Sequence, residues 1–169
     1  MASQLNQLTA RRINELYGMK LEAHRVVVEP EDLGDEIALD EDILEPYKCW
    51  TVENIQRNAQ GRIRIQVGEG GSELKCFSYH LAYKWANPDV EVPSTLGNGP
   101  SIDHLCGRAF CHRPSHLQLV QEHKHNTARI GCFGNMFVVT EQGEIAHCTQ
   151  CKHSPSCMKV YTSLLGPFN

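Results

Sequence analysis

The sequence predicts a small α+β fold that is stabilised by zinc, and three patterns support this prediction. Cysteine and histidine are concentrated between Asp103 and Cys132, where three of the eight cysteines and five of the nine histidines lie. Polar and apolar residues alternate strictly from Arg62 to Val67, which indicates a half-buried strand. Apolar residues recur at mostly helical spacing over residues 4–20, which indicates an amphipathic helix.

The length of 169 residues fits one domain with a modest apolar core. The chain starts MASQLNQLTARR, which contains no apolar signal segment, and no apolar run is long enough to span a bilayer. Eight cysteines in such a chain favour metal binding over disulfides. We therefore expect an intracellular zinc protein, in the nucleus or in nucleoid-associated cytoplasm, with no membrane partner.

The net charge of −4 is unevenly distributed along the chain. Nine acidic residues and no basic ones lie between Glu29 and Glu45, so the remainder carries sixteen Lys and Arg against eleven Asp and Glu. We expect residues 1–48 to form an N-terminal helix and an acidic connector, and residues 49–169 to form the zinc-bound domain. A solvated connector is the simplest interpretation; shielding of the basic surface and contact with a partner protein are the alternatives.

The spacing of Cys106, Cys111 and His116 fits a tetrahedral zinc site, with four residues between each successive pair. Thiolates and imidazoles are preferred Zn²⁺ ligands, so a fourth ligand is expected from elsewhere in the chain. His104 lies two residues before Cys106, at the end of a predicted strand. We expect the zinc site to hold His104 in place without binding it.

Beyond His116, alternating leucines predict a second short strand, and residues 121–129 predict a polar helix. This helix carries three candidate functional side chains, His125, Asn126 and Arg129. His112 and His123 have no partner in the pattern, so we expect both on the surface.

Three strands are predicted from Cys49 onward, CWTVENI, RIRIQVG and ELKCFSYHLAYKWA, with turn-forming residues between them. In the resulting antiparallel sheet, Arg62, Arg64 and Gln66 share one exposed face. Arginine suits both guanine edges and phosphates, so this face is a candidate DNA-binding surface. Lys84 and Arg129 are further candidate DNA contacts. An ordinary solvated face is the alternative interpretation.

Taken together, the motifs HLC, a cysteine four residues later, PxHL and a following HN resemble the HNH or His-Me finger nucleases, and most closely the His-Cys box homing endonucleases. Trp50-Thr51, Gly61 to Arg64 and His80 to Tyr83 extend the resemblance over roughly residues 49 to 157. The resemblance implies a ββα-metal core and a sheet that reads the major groove of double-stranded DNA.

The resemblance also implies a reaction, the divalent-metal-dependent hydrolysis of DNA phosphodiester bonds. His104 matches the general base that activates water, and His125, nine residues after His116, matches the ligand of a catalytic Mg²⁺ or similar ion. Asn126 is the alternative ligand. An imidazole that titrates near neutrality suits the first role, and a hard cation suits the neutralisation of charge on the phosphate and the leaving oxygen.

Two structural zinc ions are implied by the same resemblance. Cys76 matches the upstream ligand of the first ion, and Cys49, to which the resemblance assigns no role, is the runner-up. A predicted hairpin at residues 136–140 and 144–148 is followed by the second zinc loop. That loop offers five candidates for four positions, because Cys148 forms CxxC with Cys151 and competes with Cys132; the five are Cys132, Cys148, Cys151, His153 and Cys157.

One departure from the family bears on the mechanism. The resembling enzymes place an arginine near the scissile phosphate, between the upstream cysteine and HLC, whereas residues 76–103 contain none. Lys84, His80, Arg62 and Arg64 are the candidate substitutes. A catalytically inactive, zinc-stabilised DNA-binding module is therefore the alternative function, and a nuclease that acts on RNA or without sequence preference is a third. The resemblance implies a homodimer, for which the C-terminal tail is short.

Overall fold

A computed structural model describes residues 3–29, 41–53, 56–70, 74–94 and 99–122, and the backbone of three strands at 136–139, 145–147 and 159–161. Within these ranges there are three α-helices, α1 (Ala10–Lys20), α2 (Glu41–Leu44) and α3 (Ser78–Ala86). The nine strands are short: β1 (Arg25–Val28), β2 (Cys49–Val52), β3 (Arg64–Gln66), β4 (Lys75–Phe77), β5 (Ser101–His104), β6 (Leu117–Val120), β7 (Met136–Val139), β8 (Ile145–His147) and β9 (Lys159–Tyr161). The mixed composition agrees with the predicted α+β class. None of these helices is long and apolar enough to cross a membrane.

The strands pair in small sheets, most of which are antiparallel. β1 pairs with β2, β3 with β4, and β5 with β6, each pair antiparallel. β7 lies between β8, which is antiparallel to it, and β9, which is parallel to it. The strands predicted on either side of the first zinc loop are β5 and β6, and the predicted hairpin after residue 136 is formed by β7 and β8. The helix expected over residues 121–129, which would complete a ββα core, lies almost entirely outside the described residues.

Helix α1 begins where the Thr9 side chain accepts a hydrogen bond from the amide of Arg12, which satisfies one of the free amides of the first turn. Its apolar residues Ile13, Leu16 and Tyr17 are buried, as the helical spacing predicts. This helix packs against α3, so the N-terminal residues help to cover the rest of the fold.

Helix α3 corrects the sequence prediction, which continued a strand through this segment. Residues 78–86 contain no valine, isoleucine or threonine, and their leucine, alanines and lysine favour a helix. Seven consecutive residues from Ser78 to Lys84 are buried. A short apolar run that is buried on all sides has no periodicity by which helix and strand can be distinguished.

One hydrophobic core contains residues from both sides of the boundary expected at residue 48. Helices α1 and α3 and the β3–β4 hairpin supply most of it, and its largest fully buried apolar side chains are Leu5, Leu16, Tyr17, Leu21, Ile63 and Leu81. The predicted turn before β3 is present: the Asn58 side chain accepts hydrogen bonds from the amides of Gln60 and Arg62. Gly61 closes this turn at φ 77°, a conformation that side chains disfavour.

Candidate metal centre

Four buried side chains from two parts of the chain meet at one point. Cys49 begins β2, Cys106 and Cys111 lie in the loop after β5, and His116 ends the short 3-10 helix before β6. Their ligand atoms all lie within 4.8 Å of one another. The Nδ1 atom of His116 is 3.6 Å from the Sγ atom of Cys49 and 3.7 Å from that of Cys111.

These distances fit a zinc ion at the centre of the group. With zinc–sulfur and zinc–nitrogen bonds of ordinary length, the sulfur–nitrogen edge of a tetrahedron is about 3.5 Å. Burial raises the pKa of Cys111 to about 12 and also raises that of Cys106, whereas hydrogen bonds from these two thiols lower the pKa of Cys49. The three buried thiols therefore do not all lose their protons unless a bound cation balances the negative charge. A set of three cysteines and one histidine is typical of structural zinc sites.

The second ring nitrogen of His116 is fixed by the backbone. Its Nε2–H donates to the carbonyl oxygen of Pro46 at 2.7 Å. A carbonyl oxygen can only accept, so Nε2 carries the proton and the lone pair of Nδ1 points toward the three sulfur atoms. Orientation of a metal-binding imidazole by a carbonyl on its far side is the usual arrangement at zinc sites.

The loop between β5 and β6 holds three of the four ligands through local hydrogen bonds. The amide of Leu105 donates to the carbonyl of His116 at 2.8 Å, which closes the loop at its base. Gly107 has φ 70° and donates to the carbonyl of His104, forming a tight turn directly after Cys106. The proline at position 114 opens the 3-10 helix that ends with His116. The spacing read from the sequence therefore corresponds to a compact loop.

The structure corrects the expected fourth ligand. Cys76 lies opposite Ile65 in the β3–β4 pair and packs against the main core. Burial raises the pKa of its thiol to about 12. It does not join the group, and its place is taken by Cys49, the runner-up in the sequence analysis. The amide of His112 donates to the carbonyl of Trp50, a contact that brings β2 beside the loop and that local sequence does not reveal.

His104 lies at the end of β5, beside the metal group. Its Nε2 atom is 3.1 Å from the carbonyl oxygen of Cys111. Its ring meets that of Tyr79 at a centroid distance of 4.5 Å, and His80 meets the same tyrosine at 4.6 Å. Burial lowers the pKa of His104 to about 4 and that of His80 to about 3, with the charge of Arg62 acting in the same direction on both. Both imidazoles are therefore neutral near pH 7.

His112 is not at the surface, where the sequence analysis expected it. Its side chain is fully buried, and neither ring nitrogen has a hydrogen-bond partner in the described part of the chain. Its ring lies 6.4 Å from that of Trp50. Burial lowers the pKa of His112 to about 4, and the charge of Arg25 contributes to the shift. A neutral imidazole therefore packs beside the metal group as part of the interior.

The predicted DNA contacts divide into two kinds. Arg64 and Gln66 are exposed on β3, and Arg62 precedes them in a half-buried position. The guanidinium groups of Arg62 and Arg64 lie 5.5 and 5.2 Å from the ring centre of Phe77. Lys84, by contrast, is buried in α3 and donates to the carbonyls of residues 88 and 90 at 2.8 Å each. Lys84 is therefore a structural residue, and its expected contact with DNA is corrected.

Eight of the expected site residues lie outside the described residues. They are His125, Asn126 and Arg129 on the predicted helix, and Cys132, Cys148, Cys151, His153 and Cys157 at the expected second zinc site.

A family model described as the zinc-binding loop region of homing endonuclease matches residues 48–164, more than half of the chain. Searches of curated proteins and of solved structures gave no match.

Replacing Cys49 by alanine is expected to remove one zinc ion per chain, because the three remaining ligands do not bind it tightly enough. Cys76→Ala provides the matched control, and we expect it to keep the zinc content of the parent protein. Elemental analysis of the purified variants measures both. Loss of zinc in Cys76→Ala with retention in Cys49→Ala would contradict the assignment.

Lys84→Met is expected to lower the free energy of unfolding by about 1–3 kcal/mol, because the carbonyls of residues 88 and 90 lose a charged donor. Urea unfolding measures the change. DNA affinity and its dependence on salt should match those of the parent protein. If the DNA affinity of this variant depended less on salt concentration, Lys84 would be a DNA contact after all.

Proposed function

Because the chain belongs to the family of the homing-endonuclease zinc-binding loop, we propose that it is a divalent-metal-dependent endonuclease that hydrolyses phosphodiester bonds of double-stranded DNA. In this proposal His104 is the general base that activates water. The observation that carries it is the hydrogen bond between Nε2 of His104 and the carbonyl of Cys111, a residue of the metal group.

This hydrogen bond selects one tautomer of His104. The carbonyl oxygen only accepts, so the proton is on Nε2 and the lone pair of a neutral ring is on Nδ1. Nδ1 is then the atom that takes a proton from water. The loop that binds zinc supplies the carbonyl, so the metal group fixes the orientation of the base without binding it, as the sequence analysis expected.

Arg62 is the arginine proposed to contact the scissile phosphate. With Cys49 as the upstream zinc ligand, the stretch before HLC contains three arginines, at positions 57, 62 and 64, whereas the stretch after Cys76 contains none. These arginines are therefore candidates for the phosphate contact that the resemblance implies. The guanidinium of Arg62 lies 5.5 Å from the ring centre of Phe77, which stacks on Tyr79 at 5.5 Å, and Tyr79 meets the ring of His104 at 4.5 Å.

The distribution of ion pairs is consistent with the proposed DNA-binding surface. Arg11, Arg12 and Arg113 each meet a carboxylate. Arg57 lies over Phe110, and Arg62 and Arg64 lie over Phe77; like Arg25, which lies over Trp50, these three arginines have no carboxylate partner in the described part of the chain. Guanidinium groups that are held by aromatic faces but lack an anionic partner suit the phosphates of a nucleic acid.

The catalytic cation is proposed to be Mg²⁺ or a similar ion, held by His125 or, alternatively, by Asn126. When bound, such an ion neutralises charge on the phosphate and on the leaving oxygen. The second structural zinc is proposed on Cys151, His153 and Cys157 together with Cys132 or Cys148. The rival function, a DNA-binding module without catalysis, was favoured by the absence of an arginine after Cys76, and that observation loses its weight once Cys49 is the ligand.

His104→Ala is expected to lower the rate of plasmid nicking in Mg²⁺ at least about 100-fold, because the proton acceptor is lost. His104→Gln keeps an amide donor for the Cys111 carbonyl and should be equally inactive. Both variants should retain zinc and DNA affinity, and His24→Ala, at an exposed position, is the control. Nicking by His104→Gln at the parent rate would remove His104 from the mechanism.

Arg62→Met is expected to lower the nicking rate at saturating DNA about 10²- to 10³-fold. This is the usual effect of removing one group that stabilises charge in the transition state. Arg64→Met is the matched variant, because both side chains lie on Phe77. We expect it to weaken DNA binding and reduce the salt dependence while largely preserving the saturated rate. The reverse result would assign the phosphate contact to Arg64.

A further inference from the structure

The zinc centre makes contacts with a segment that precedes the family region. The matched region starts at residue 48, yet three backbone carbonyls at or just before this point accept hydrogen bonds from the zinc loop. Pro46 accepts from Nε2 of His116 at 2.7 Å. Glu45 and Lys48 both accept from Nη1 of Arg113, at 2.6 and 2.9 Å.

Arg113 is placed to connect the two zinc-binding parts of the chain. It lies between Cys111 and His116 in the loop, and its side chain is only 14% exposed. Its guanidinium lies 4.9 Å from the ring centre of Trp50, the residue directly after Cys49. One side chain therefore contacts the backbone before Cys49 and the aromatic ring after it.

Lys48 holds the same segment from the other side. Its side chain is 9% exposed, and its Nζ lies 3.2 Å from Glu29, 2.5 Å from Glu41 and 3.8 Å from Glu45. These carboxylates lie near both ends of the acidic stretch, and the carbonyl of Glu29 also accepts from Arg108 of the zinc loop at 2.8 Å.

We propose that residues 41–48 form the outer coordination sphere of the first zinc site, and that Arg113 and Lys48 are positioning residues that hold Cys49 at the metal. Cys49 is separated from Cys106 by a long stretch of chain, so bringing it to the site costs loop-closure entropy. The short spacing among the other three ligands does not reduce this cost. The contacts of Arg113 and Lys48 hold the backbone just before Cys49, and Arg113 also packs on the ring of Trp50 just after it. Part of the acidic stretch is thus a component of the metal centre, and not a solvated connector.

This role does not depend on whether the protein cleaves DNA. It assigns a use to three cations, Lys48, Arg108 and Arg113, that the acidic stretch engages within the fold. The arginines of the proposed DNA surface, at positions 57, 62 and 64, form no ion pair with this stretch among the described residues.

The test is the metal affinity of Arg113→Met, which keeps an apolar stem beside Trp50 but removes both carbonyl contacts. Protein loaded with ¹¹³Cd gives a separate resonance for each site, and competition with a chelator then reports the affinity of the Cys49 site. We expect that affinity to fall about 10- to 100-fold, as for other outer-shell groups. Arg11→Met, which removes an exposed ion pair on α1, should have no effect.

Two further variants keep the test decisive if Arg113→Met folds poorly. Arg113→Gln removes the charge and is too short to reach both carbonyls, and we expect a loss of affinity of the same sign. Lys48→Met should also weaken metal binding, and the double variant Lys48→Met, Arg113→Met should lose less than the product of the two single effects, because both act on one segment. An affinity within twofold of the parent protein in Arg113→Gln, or independent effects in the double variant, would overturn the proposal.

Discussion

The convergence of three buried thiols and one imidazole is the constraint on which the rest of the structure depends. Two of the thiols and the imidazole lie close together in sequence, whereas Cys49 comes from a strand far upstream. Bringing Cys49 to the others places the β1–β2 pair against the loop between β5 and β6. A cation in the group stabilises this closure, since crowded buried thiolates repel each other without one.

The zinc loop faces two ways. Its cysteine and histidine side chains point toward the metal group, and the carbonyl of Cys111 points toward His104. The same short segment therefore supports structure and positions the proposed base. An ion that orients a catalytic group through a backbone carbonyl leaves the lone pair of that group available for proton transfer.

The fold determines which basic residues contact the acidic stretch and which do not. Glu29, Glu41 and Glu45 engage Lys48, and the backbone beside two of them engages Arg108 and Arg113. This internal neutralisation explains how a chain with a net charge of −4 presents arginines that have no carboxylate partner within the described ranges. Aromatic rings hold those arginines in place, and in the proposed function this lowers the entropy lost when a phosphate binds.

Features set by neighbouring residues were readable from the sequence alone. The spacing of Cys106, Cys111 and His116 predicted a zinc loop, the alternation after Gly61 predicted an exposed arginine face, and the HLC motif predicted the family. Tertiary structure alone decided the choice of Cys49 over Cys76, the helical form of residues 78–86 and the burial of Lys84 and His112. The physical reason is that spacing and alternation are imposed by bond geometry within a few residues, whereas the identity of a distant ligand and the burial of a polar side chain depend on which elements pair and pack.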